Sequence, residues 1–439
     1  MPVNEPAKPE FRRAMRLPHA AAMVIGTIIG ASIFRQPAEI TGHVPTVGGI
    51  FLVWGVAGVL TMAGSLVCAE LASAYPKSGG VYVFLRESFG APIGFLWGWA
   101  MFWTMHAGII AAIAVVFANY AAWFVPAIDQ RLVAVSVILV LSAINYVGVR
   151  QGATLQALFT AGKLLAILAI IAVGFTLGPT DPLPPASPVT ESVSVGTFAL
   201  ALVAGLFAFG GWHMVTYGAE ETHDPERTLP RALIIGVLVV TVCYMALNAV
   251  YLYVLPLATV ATSERIAADA ADAVLGSGGG AMMSALVMFS TFGALAGIVL
   301  LGPRVYYAMA RDGQVFSWLG AVHPTFRTPH HAIIAQAIWA SVLASTGTYR
   351  ALFTRVIYTE WIFFGLMAVG LMLLRRRPGY APRYRMPGYP VVPVLFAAAA
   401  FGIAINQIVV EPVSSAIGLG LVLIGLPVHR IWMRRAALS

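Results

Sequence analysis

Two short glycine-containing stretches interrupt long apolar segments of the sequence. The first is Gly26–Ser32 and the second is Gly205–Gly211. Unwinding a helix at bilayer depth frees peptide N–H and C=O groups that lipid cannot satisfy, so such a stretch must be buried in protein or line a cavity. A half-helix that begins after Gly30 would present N–H groups to an anion, whereas one that ends near 207–209 would present carbonyls to a cation. The pattern therefore predicts a site for a zwitterion that needs no charged side chain.

The glycine spacing of the first stretch leaves a second interpretation open. Gly26 and Gly30 also have the spacing that lets membrane helices pack closely. However, an interrupted span at the same position of each half of a chain is the best sequence indication of a secondary transporter's binding site. Because the two stretches lie five predicted spans apart, we favour a binding site over helix packing alone.

Composition indicates that membrane helices must carry these stretches. Of the 439 residues, 59% are hydrophobic and only 10% are charged, whereas soluble domains have about 45–50% and about 25%. This excludes a cytosolic globular protein, a disordered chain and a nucleic-acid-binding module. Cys68 and Cys243 fall within apolar segments, and we expect them to pack as small apolar side chains rather than form a disulfide or bind a metal. The sequence indicates neither a metal nor a cofactor.

Apolar segments bounded by charges, prolines or glycines predict an all-α polytopic membrane protein with twelve spans. The predicted spans cover residues 20–41, 49–74, 92–122, 131–148, 153–177, 196–219, 231–257, 281–309, 332–347, 353–374, 391–410 and 413–432. Cytoplasmic termini would leave few of the 26 Lys and Arg residues outside, namely Arg35, Arg131, Arg265, Arg350 and Arg355. Basic residues concentrate on the inner side of membrane proteins, so this asymmetry supports the orientation and explains the net charge of +8.

The spans divide into two five-span halves, which have opposite topology because an odd number of crossings separates their starts. We expect a cytoplasmic tail at 1–17, a first inverted repeat at 18–177, an extracellular Pro-rich loop at 178–195, a second inverted repeat at 196–374, and two further spans with a cytoplasmic tail at 375–439. The compact termini favour a bacterial cell (inner) membrane.

An ordered set of motifs resembles the amino acid–polyamine–organocation superfamily, and within it the L-type amino acid transporter branch. The motifs lie at the first span, at the junction of the second and third spans, and in the fifth, sixth and eighth spans. They are Gly26–Phe34, Ala69–Leu71 with Pro76–Gly80, Thr160–Leu164, Gly205–Trp212 with Glu220–Pro230, and Arg304–Gly313. The resemblance implies the inverted-repeat fold of the leucine transporter, with 5+5 core spans and two appended spans.

The resemblance also implies roles for residues of the two stretches. Backbone N–H groups around Ala31 and Ser32 would hold a substrate carboxylate, and the carbonyls of Ile28, Phe207 and Gly210 would hold its amino group. The Phe207 ring would act as a gate over the bound substrate. Gly30 and Ala208 complete the expected substrate site. The first-span signature usually ends Gly-Ser-Gly or Gly-Ala-Gly, so the serine of Gly30-Ala31-Ser32 is a departure that leaves less room and adds a hydroxyl.

Lys163 lies in the middle of the fifth predicted span. A lysine at bilayer depth costs at least ~2.5 kcal/mol on insertion scales, so it is a functional hypothesis by default. The alternative is an ammonium group that extends to the membrane interface. By resemblance, this lysine occupies the place where sodium-coupled relatives hold a sodium ion between the first and eighth spans. The expected consequence is sodium-independent transport.

Two further ionisable side chains are candidates for the substrate site. A buried Glu360 in the tenth span could carry a proton, tune substrate choice together with Trp361, hydrogen-bond a neighbouring helix, or pair with Arg355. His213 could contact substrate, sense pH, or only pack between helices. His106 is expected to be a core residue.

Acidic residues follow the second stretch: Glu220, Glu221, Asp224 and Glu226, close to Arg227 and Arg231. They could form an inner-gate network of ion pairs or only a solvated loop, and the resemblance favours the gate. Glu70, near the inner end of its span, is expected to be structural.

The sequence favours transport of neutral L-amino acids by alternating access, as exchange or facilitated diffusion. A proton-coupled symporter is an alternative, and cationic amino acids or amines become substrates if Glu360 faces the site. A membrane enzyme would need a catalytic cluster such as His-Glu-x-x-His, and a channel would need a filter loop; neither pattern occurs. L-type relatives join a heavy chain through a cysteine in the third-to-fourth-span loop. This chain has none from Trp123 to Arg131, so no disulfide-linked partner is expected.

Overall fold

The computed structural model describes residues 11–30, 32–178, 193–276, 278–347 and 349–436, without the side chains of 149, 349–357, 435 and 436. Most of the described chain is helical. The helices are α1 (Leu17–Ile28), α2 (Gln36–His43), α3 (Val47–Ala74), α4 (Val81–Phe89), α5 (Ala91–Ala100), α6 (His106–Phe124), α7 (Gln130–Val147), α8 (Val149–Leu177), α9 (Val195–Ala208), α10 (Pro225–Val254), α11 (Leu257–Thr262), α12 (Ile266–Leu275), α13 (Gly279–Leu301), α14 (Pro303–Arg311), α15 (His330–Thr346), α16 (Tyr349–Leu374), α17 (Val391–Val410), α18 (Pro412–Leu423) and α19 (Gly425–Ala436).

Ten helical stretches within the described residues are long and apolar enough to cross a membrane. The apolar part of α16, Tyr358–Leu374, is shorter, and α15 has 17 residues. The all-α polytopic fold is therefore confirmed, while twelve spans and the 5+5 repeat remain predictions. Short helices that the span pattern did not predict, α4, α11 and α12, lie between the long ones. Most of the expected extracellular loop, 179–192, lies outside the described residues.

The helices form two groups, and α1 belongs to the first group and contacts the second. One group consists of α1, α3, α9 and α10, with α1 and α3 both packed along α10. The other includes α6, α7, α8, α13 and α15, and it contacts α1 through α8 and α13. Between α5 and α6, residues Met101–Met105 form a π-helical turn. Such turns are rare and occur often at functional sites.

A break in the eighth predicted span shows how the fold satisfies backbone groups that lose their helical partner. Pro303 has no N–H to bond the carbonyl of Val299, so that oxygen accepts instead from Gln336 Nε2 on α15 at 3.1 Å. His106 Nε2 lies 3.0 Å from the carbonyl oxygen of Ile298. The buried His106 therefore helps hold the junction between α13 and α14.

At one end of the bundle, which we call the arginine-rich end, Arg304 and Glu221 form a fully buried ion pair. Arg304 Nη2 lies 2.8 Å from Glu221 Oε1, and Nε lies 2.9 Å from Oε2. The N-terminal segment covers this pair, because the N–H groups of Ala14 and Met15 bond the Glu221 carbonyl at 2.8 and 3.0 Å. Arg227 pairs within the acidic cluster as the sequence suggested, with its Nε 3.9 Å from Asp224 Oδ2, but the residue that pairs with Glu221 is Arg304.

The loop between α16 and α17, residues 375–390, is anchored to the same end of the bundle. Arg375 Nε and Nη2 lie 2.7 and 2.5 Å from the two carboxylate oxygens of the buried Glu70. The Met386 N–H bonds Glu70 Oε2 at 2.7 Å. Burial and the neighbouring Glu70 carboxylate raise the pKa of Tyr380, whose hydroxyl lies 3.4 Å from Glu70 Oε1. Glu70 thus fastens this loop to α3.

Replacing Arg375 by alanine is expected to destabilise the protein, because it leaves the Glu70 carboxylate buried without its cation. Removing one partner of a buried ion pair costs about 3–5 kcal/mol. Arg376→Ala is the matched control, since the adjacent Arg376 is exposed. Thermal unfolding in detergent should show a clear fall in midpoint for Arg375→Ala alone. Equal midpoints for the two variants would contradict the assigned anchoring role.

Candidate functional site

The first glycine-containing stretch is a break in a helix. α1 ends at Ile28, and the N–H of Ile29 still bonds the Ile25 carbonyl at 2.8 Å. The ψ of 90° at Ile29 then turns the chain out of the helix, and a 3₁₀ turn begins at Ser32. Ala31 lies outside the described residues. The carbonyls of the last turn of α1 therefore lack the N–H groups that a further turn of helix would provide.

The second stretch is also a break. α9 ends at Ala208, and a 3₁₀ helix, Trp212–Glu221, follows. Gly211 has a φ of +99°, which L side chains rarely adopt. A Cβ at this position would also lie 3.2 Å from the Thr27 carbonyl oxygen. A glycine is therefore required where the second break approaches the first.

Side-chain hydroxyls connect the two breaks. Thr27 Oγ1 lies 3.3 Å from the Gly211 carbonyl, although it also bonds the Met23 carbonyl of its own helix at 2.8 Å. Ser32 Oγ donates to the Ala208 carbonyl at 3.4 Å. The serine that departs from the usual first-span signature thus reaches across to the second break.

Tyr244 on α10 places its hydroxyl between the two breaks. Its Oη lies 3.1 Å from the Ile28 carbonyl and 3.0 Å from the Ala208 carbonyl. The side chain is fully buried beside Trp54 and Phe209. The sequence did not single out this residue, because one tyrosine in an apolar span has the same pattern as a core residue. The carbonyls of the two half-helices therefore converge on one hydroxyl donor.

Lys163 lies behind the first break. Its Nζ donates to the carbonyls of Gly26 and Ile29 at 3.0 and 2.7 Å, and the side chain is 1% exposed. The ammonium group therefore lies inside the protein rather than at a membrane interface. A Cβ on Gly293 of α13 would lie 2.9 Å from Lys163 Cε, so the lysine also packs against the predicted eighth span.

The alternative of helix packing at Gly26 also has support in the structure. A Cβ there would overlap polar atoms of Gln156 and Thr160 on α8. Gly26 thus allows close packing of α1 on α8. Gly30 has more room, with Ala294 Cβ at 3.4 Å. The two glycines of the motif therefore differ, one lying in a helix contact and the other at the break.

The remaining predicted residues lie around the second break. The Phe207 side chain is 38% exposed, whereas Phe209 is 1% exposed. The N–H of Gly210 bonds the Phe207 carbonyl at 3.0 Å. Beyond the break, His213 Nε2 lies 3.6 Å from Glu360 Oε1. Trp361 contacts Phe364 and Phe396, and the Arg355 side chain lies outside the described residues.

A cavity of about 400 Å³ lies next to the 3₁₀ turn that follows the first break. Its lining includes exposed charged side chains of both signs and a half-exposed histidine. The charged side chains are Arg35, Glu39 and Glu264, and the histidine is His43. This charged cavity is on the side that the sequence assigned to the cell exterior.

Comparison with known proteins agrees with this geometry. Residues 16–425 match the family model described as amino acid permease. The chain belongs to the amino acid permease family. The permease is therefore a member of the amino acid–polyamine–organocation superfamily, close to its L-type branch, and is a membrane transporter of amino acids rather than an enzyme.

Three curated relatives cover nearly the whole permease. The serine/threonine exchanger SteT of Bacillus subtilis (strain 168) is 33% identical, over 97% of this chain and 98% of its own length. The mouse Asc-type amino acid transporter 1 is 32% identical, over 95% of this chain and 81% of its own length. The human large neutral amino acids transporter small subunit 2 is 32% identical, over 95% of this chain and 80% of its own length. The resemblance inferred from the motifs is thus confirmed.

Tyr244→Phe is expected to alter amino acid binding by the permease without unfolding it, because it removes the hydroxyl shared by the Ile28 and Ala208 carbonyls and keeps the ring. Leaving a buried acceptor without its donor costs about 1–3 kcal/mol, which predicts a change in apparent affinity of ~5-fold or more. Tyr253→Phe on the exposed face of α10 is the control. Equal affinities for both variants and wild type in a binding titration would show that the hydroxyl is irrelevant to the site.

Proposed function

We propose that the permease exchanges neutral L-amino acids across the cell membrane by alternating access, without sodium. The observation that supports this proposal most directly is the pair of helix breaks that face each other across hydroxyl bridges 3.3 and 3.4 Å long. No Arg, Lys, Asp or Glu occurs in either glycine-containing stretch. A zwitterion suits such a site, because it brings both charges that the bare peptide groups can bind.

The substrate carboxylate would lie on the backbone N–H groups around Ala31 and Ser32, next to Gly30. Its ammonium would lie on the carbonyls of Ile28, Phe207 and Gly210, with Ala208 beside them. The position of the Tyr244 hydroxyl supports the ammonium assignment, because it lies within hydrogen-bonding distance of one carbonyl from each half-helix.

We assign Phe207 the role of the gate over this site. Its side chain is partly exposed although it lies directly beside the break at the end of α9. A large apolar ring at such a place can cover a bound substrate and exclude water from it. His213 follows the second break by two residues and Trp361 lies on α16, and both would contact the substrate side chain or its surroundings.

Lys163 provides the proposed sodium independence. Backbone carbonyls freed by a helix break are suitable oxygen ligands for a small cation. Here the Lys163 ammonium donates to two of them, the carbonyls of Gly26 and Ile29. A fixed positive charge thus fills the role that a dissociable ion would otherwise have, so the first break keeps its shape in sodium-free solution.

The same proposal extends to topology and partners. The breaks in α1 and α9 support two inverted repeats, 18–177 and 196–374, followed by two more spans in a multi-pass protein with cytoplasmic termini. The absence of a cysteine from Trp123 to Arg131 supports function without a disulfide-linked heavy chain. The exchanger among the relatives supports exchange over uniport.

The function is tested by uptake of radiolabelled neutral amino acids into proteoliposomes of the purified protein. Uptake should saturate, should be stimulated by unlabelled amino acid inside, and should be the same in sodium and choline buffers. A strict sodium requirement would refute the Lys163 assignment. Uptake at the same rate with and without internal amino acid would refute exchange. Conductance steps in planar bilayers would indicate a channel.

Lys163→Met is expected to abolish most exchange, because two buried carbonyls lose a charged donor while the apolar stem is kept. A loss of about 1–3 kcal/mol per unmet group predicts a fall of ~10-fold or more. Arg150→Met, at an exposed position of the same helix, should retain exchange. Monodisperse elution of Lys163→Met in size-exclusion chromatography separates a transport defect from misfolding. Wild-type exchange rates in folded Lys163→Met would contradict the proposal.

A further inference from the structure

Helix α19 contains the end of a helical stretch that is long enough to cross a membrane. That stretch, Pro412–Arg434, has 23 residues and would measure about 34 Å as a helix at about 1.5 Å per residue. The hydrocarbon core of a bilayer is about 30 Å thick. Arg430 and Arg434 belong to the last two turns of the stretch, so they would lie at the depth of the phospholipid headgroups.

One face of α19 is fixed to the loop that follows α14. The buried His429 has its Nε2 2.7 Å from Gln314 Oε1. Three residues later, the ring centroid of Trp432 lies 4.5 Å from that of Phe316. Residues three apart lie on the same side of a helix. These two contacts therefore determine which face of α19 is turned away from the protein.

Two arginines occupy the outward face, and no carboxylate balances them. Arg430 and Arg434 are both exposed, and residues four apart on a helix have about 5–6 Å between their Cβ atoms. Like charges at this spacing destabilise a helix. The two segments that meet here, 313–359 and 412–439, contain no Asp or Glu. Among the described side chains, no ion pair includes either arginine.

Exposed apolar side chains lie close to the two arginines. Ile431 on the same helix is 56% exposed, and Phe316 and Trp318 on the loop after α14 are 54% and 49% exposed. The rings of Phe316 and Trp318 are stacked, with centroids 6.3 Å apart. Tryptophan side chains are typical of the headgroup level of membrane proteins. The surface thus combines unbalanced positive charge with apolar area.

This combination fits an anionic phospholipid. A soluble anion would leave the apolar side chains in water, and an apolar chain alone would leave the two guanidinium groups without a counter-ion. A phospholipid with a net negative headgroup meets both needs, because guanidinium groups bind phosphate oxygens in a bidentate manner and an acyl chain covers apolar surface. We propose that Arg430 and Arg434 bind the headgroup of an anionic phospholipid of the leaflet at this end, with its acyl chain beside Ile431 and Phe316.

A short path of contacts connects this surface with the arginine-rich end. His429 contacts Gln314, whose N–H bonds the Met309 carbonyl of α14 at 2.9 Å. The same helix carries Arg304, which forms the buried ion pair with Glu221. A lipid that holds α19 in place would therefore also support α14. Lipid binding at this surface does not depend on the exchange proposed above.

The binding experiment is native mass spectrometry of the purified protein in detergent, with phosphatidylglycerol or phosphatidylcholine added. Wild type should retain phosphatidylglycerol in preference to phosphatidylcholine. The double variant Arg430→Gln/Arg434→Gln should bind phosphatidylglycerol ~10-fold or more weakly, because each basic residue near a membrane surface adds to the attraction for anionic lipid. Equal retention of the two lipids by wild type, or undiminished binding by the variant, would overturn the proposal.

Arg376→Gln/Arg385→Gln is the matched control for charge. It removes two exposed arginines from the loop between α16 and α17, so the net charge changes by the same amount. Its binding of phosphatidylglycerol should stay within about twofold of wild type, since the loss of a distant charge is screened by salt. An equal loss in the two double variants would show that only net charge matters, and it would overturn the assigned site.

The apolar half of the surface is tested by Ile431→Asn, which changes an exposed side chain. Phosphatidylglycerol binding should weaken ~3-fold or more, because the acyl chain loses apolar contact area. Inorganic phosphate added to wild type should leave the bound lipid in place. Displacement of the lipid by phosphate, together with wild-type binding by Ile431→Asn, would assign the arginines to a soluble anion and overturn the proposal.

Thermal unfolding in detergent provides a readout that needs neither transport nor lipid detection. Without lipid, Arg430→Gln/Arg434→Gln should be at least as stable as wild type, because a like-charge repulsion is removed. Phosphatidylglycerol should raise the unfolding midpoint of wild type and of Arg376→Gln/Arg385→Gln but not that of Arg430→Gln/Arg434→Gln, since a ligand of the folded state stabilises it. An equal rise in all three proteins overturns the proposal. A dimer that only Arg430→Gln/Arg434→Gln abolishes, with no lipid retained by wild type, would assign the surface to a second copy and overturn it as well.

Discussion

Peptide groups released by two helix breaks must find partners inside the membrane, and most of the site can be derived from this constraint. Water and lipid are not available to them, so each freed carbonyl needs a donor from the protein or from a ligand. In this chain two of the donors come from outside the broken helices, Lys163 from α8 and Tyr244 from α10, and Ser32 of the first break is a third. The two glycine-containing stretches have no charged residues, so the site that they form depends on side chains that are distant along the chain.

Lys163 and Tyr244 differ in how many carbonyls they can bond at once and in which breaks those carbonyls belong to. Lys163 Nζ donates to two carbonyls of the same break, so it holds that break in one shape. The Tyr244 hydroxyl has a single hydrogen and lies near one carbonyl from each break, so it can satisfy only one at a time. The Ser32 hydroxyl also reaches the Ala208 carbonyl, at 3.4 Å, so two hydroxyl groups serve these two carbonyls. An ammonium group, with three donors, could bond both carbonyls at once, which supports the proposed binding of an amine at this place.

The sequence predicted the breaks well, because glycine is a poor helix former and two glycines close together weaken an apolar helix at a defined point. Lys163 was evident from the cost of a charge at that depth. What the sequence could not predict were pairings between distant elements. Glu221 pairs with Arg304 rather than with the nearby arginines, and His213 meets Glu360. These pairings depend on the packing of helices against each other, which a hydropathy pattern does not specify. Tyr244 was missed for the same reason.

The two ends of the bundle differ in how their charges are held, and this difference indicates how the molecule would open. At the arginine-rich end Arg304 and Glu221 are both fully buried, whereas the cavity beyond the first break has exposed charges. Separating the buried pair needs water for both ions, so that end opens only as water enters. Glu221 ends the same 3₁₀ segment that begins at the second break. In the transport that we propose, a change at the break would pass along this segment to the closing ion pair, and alternating access requires such a coupling.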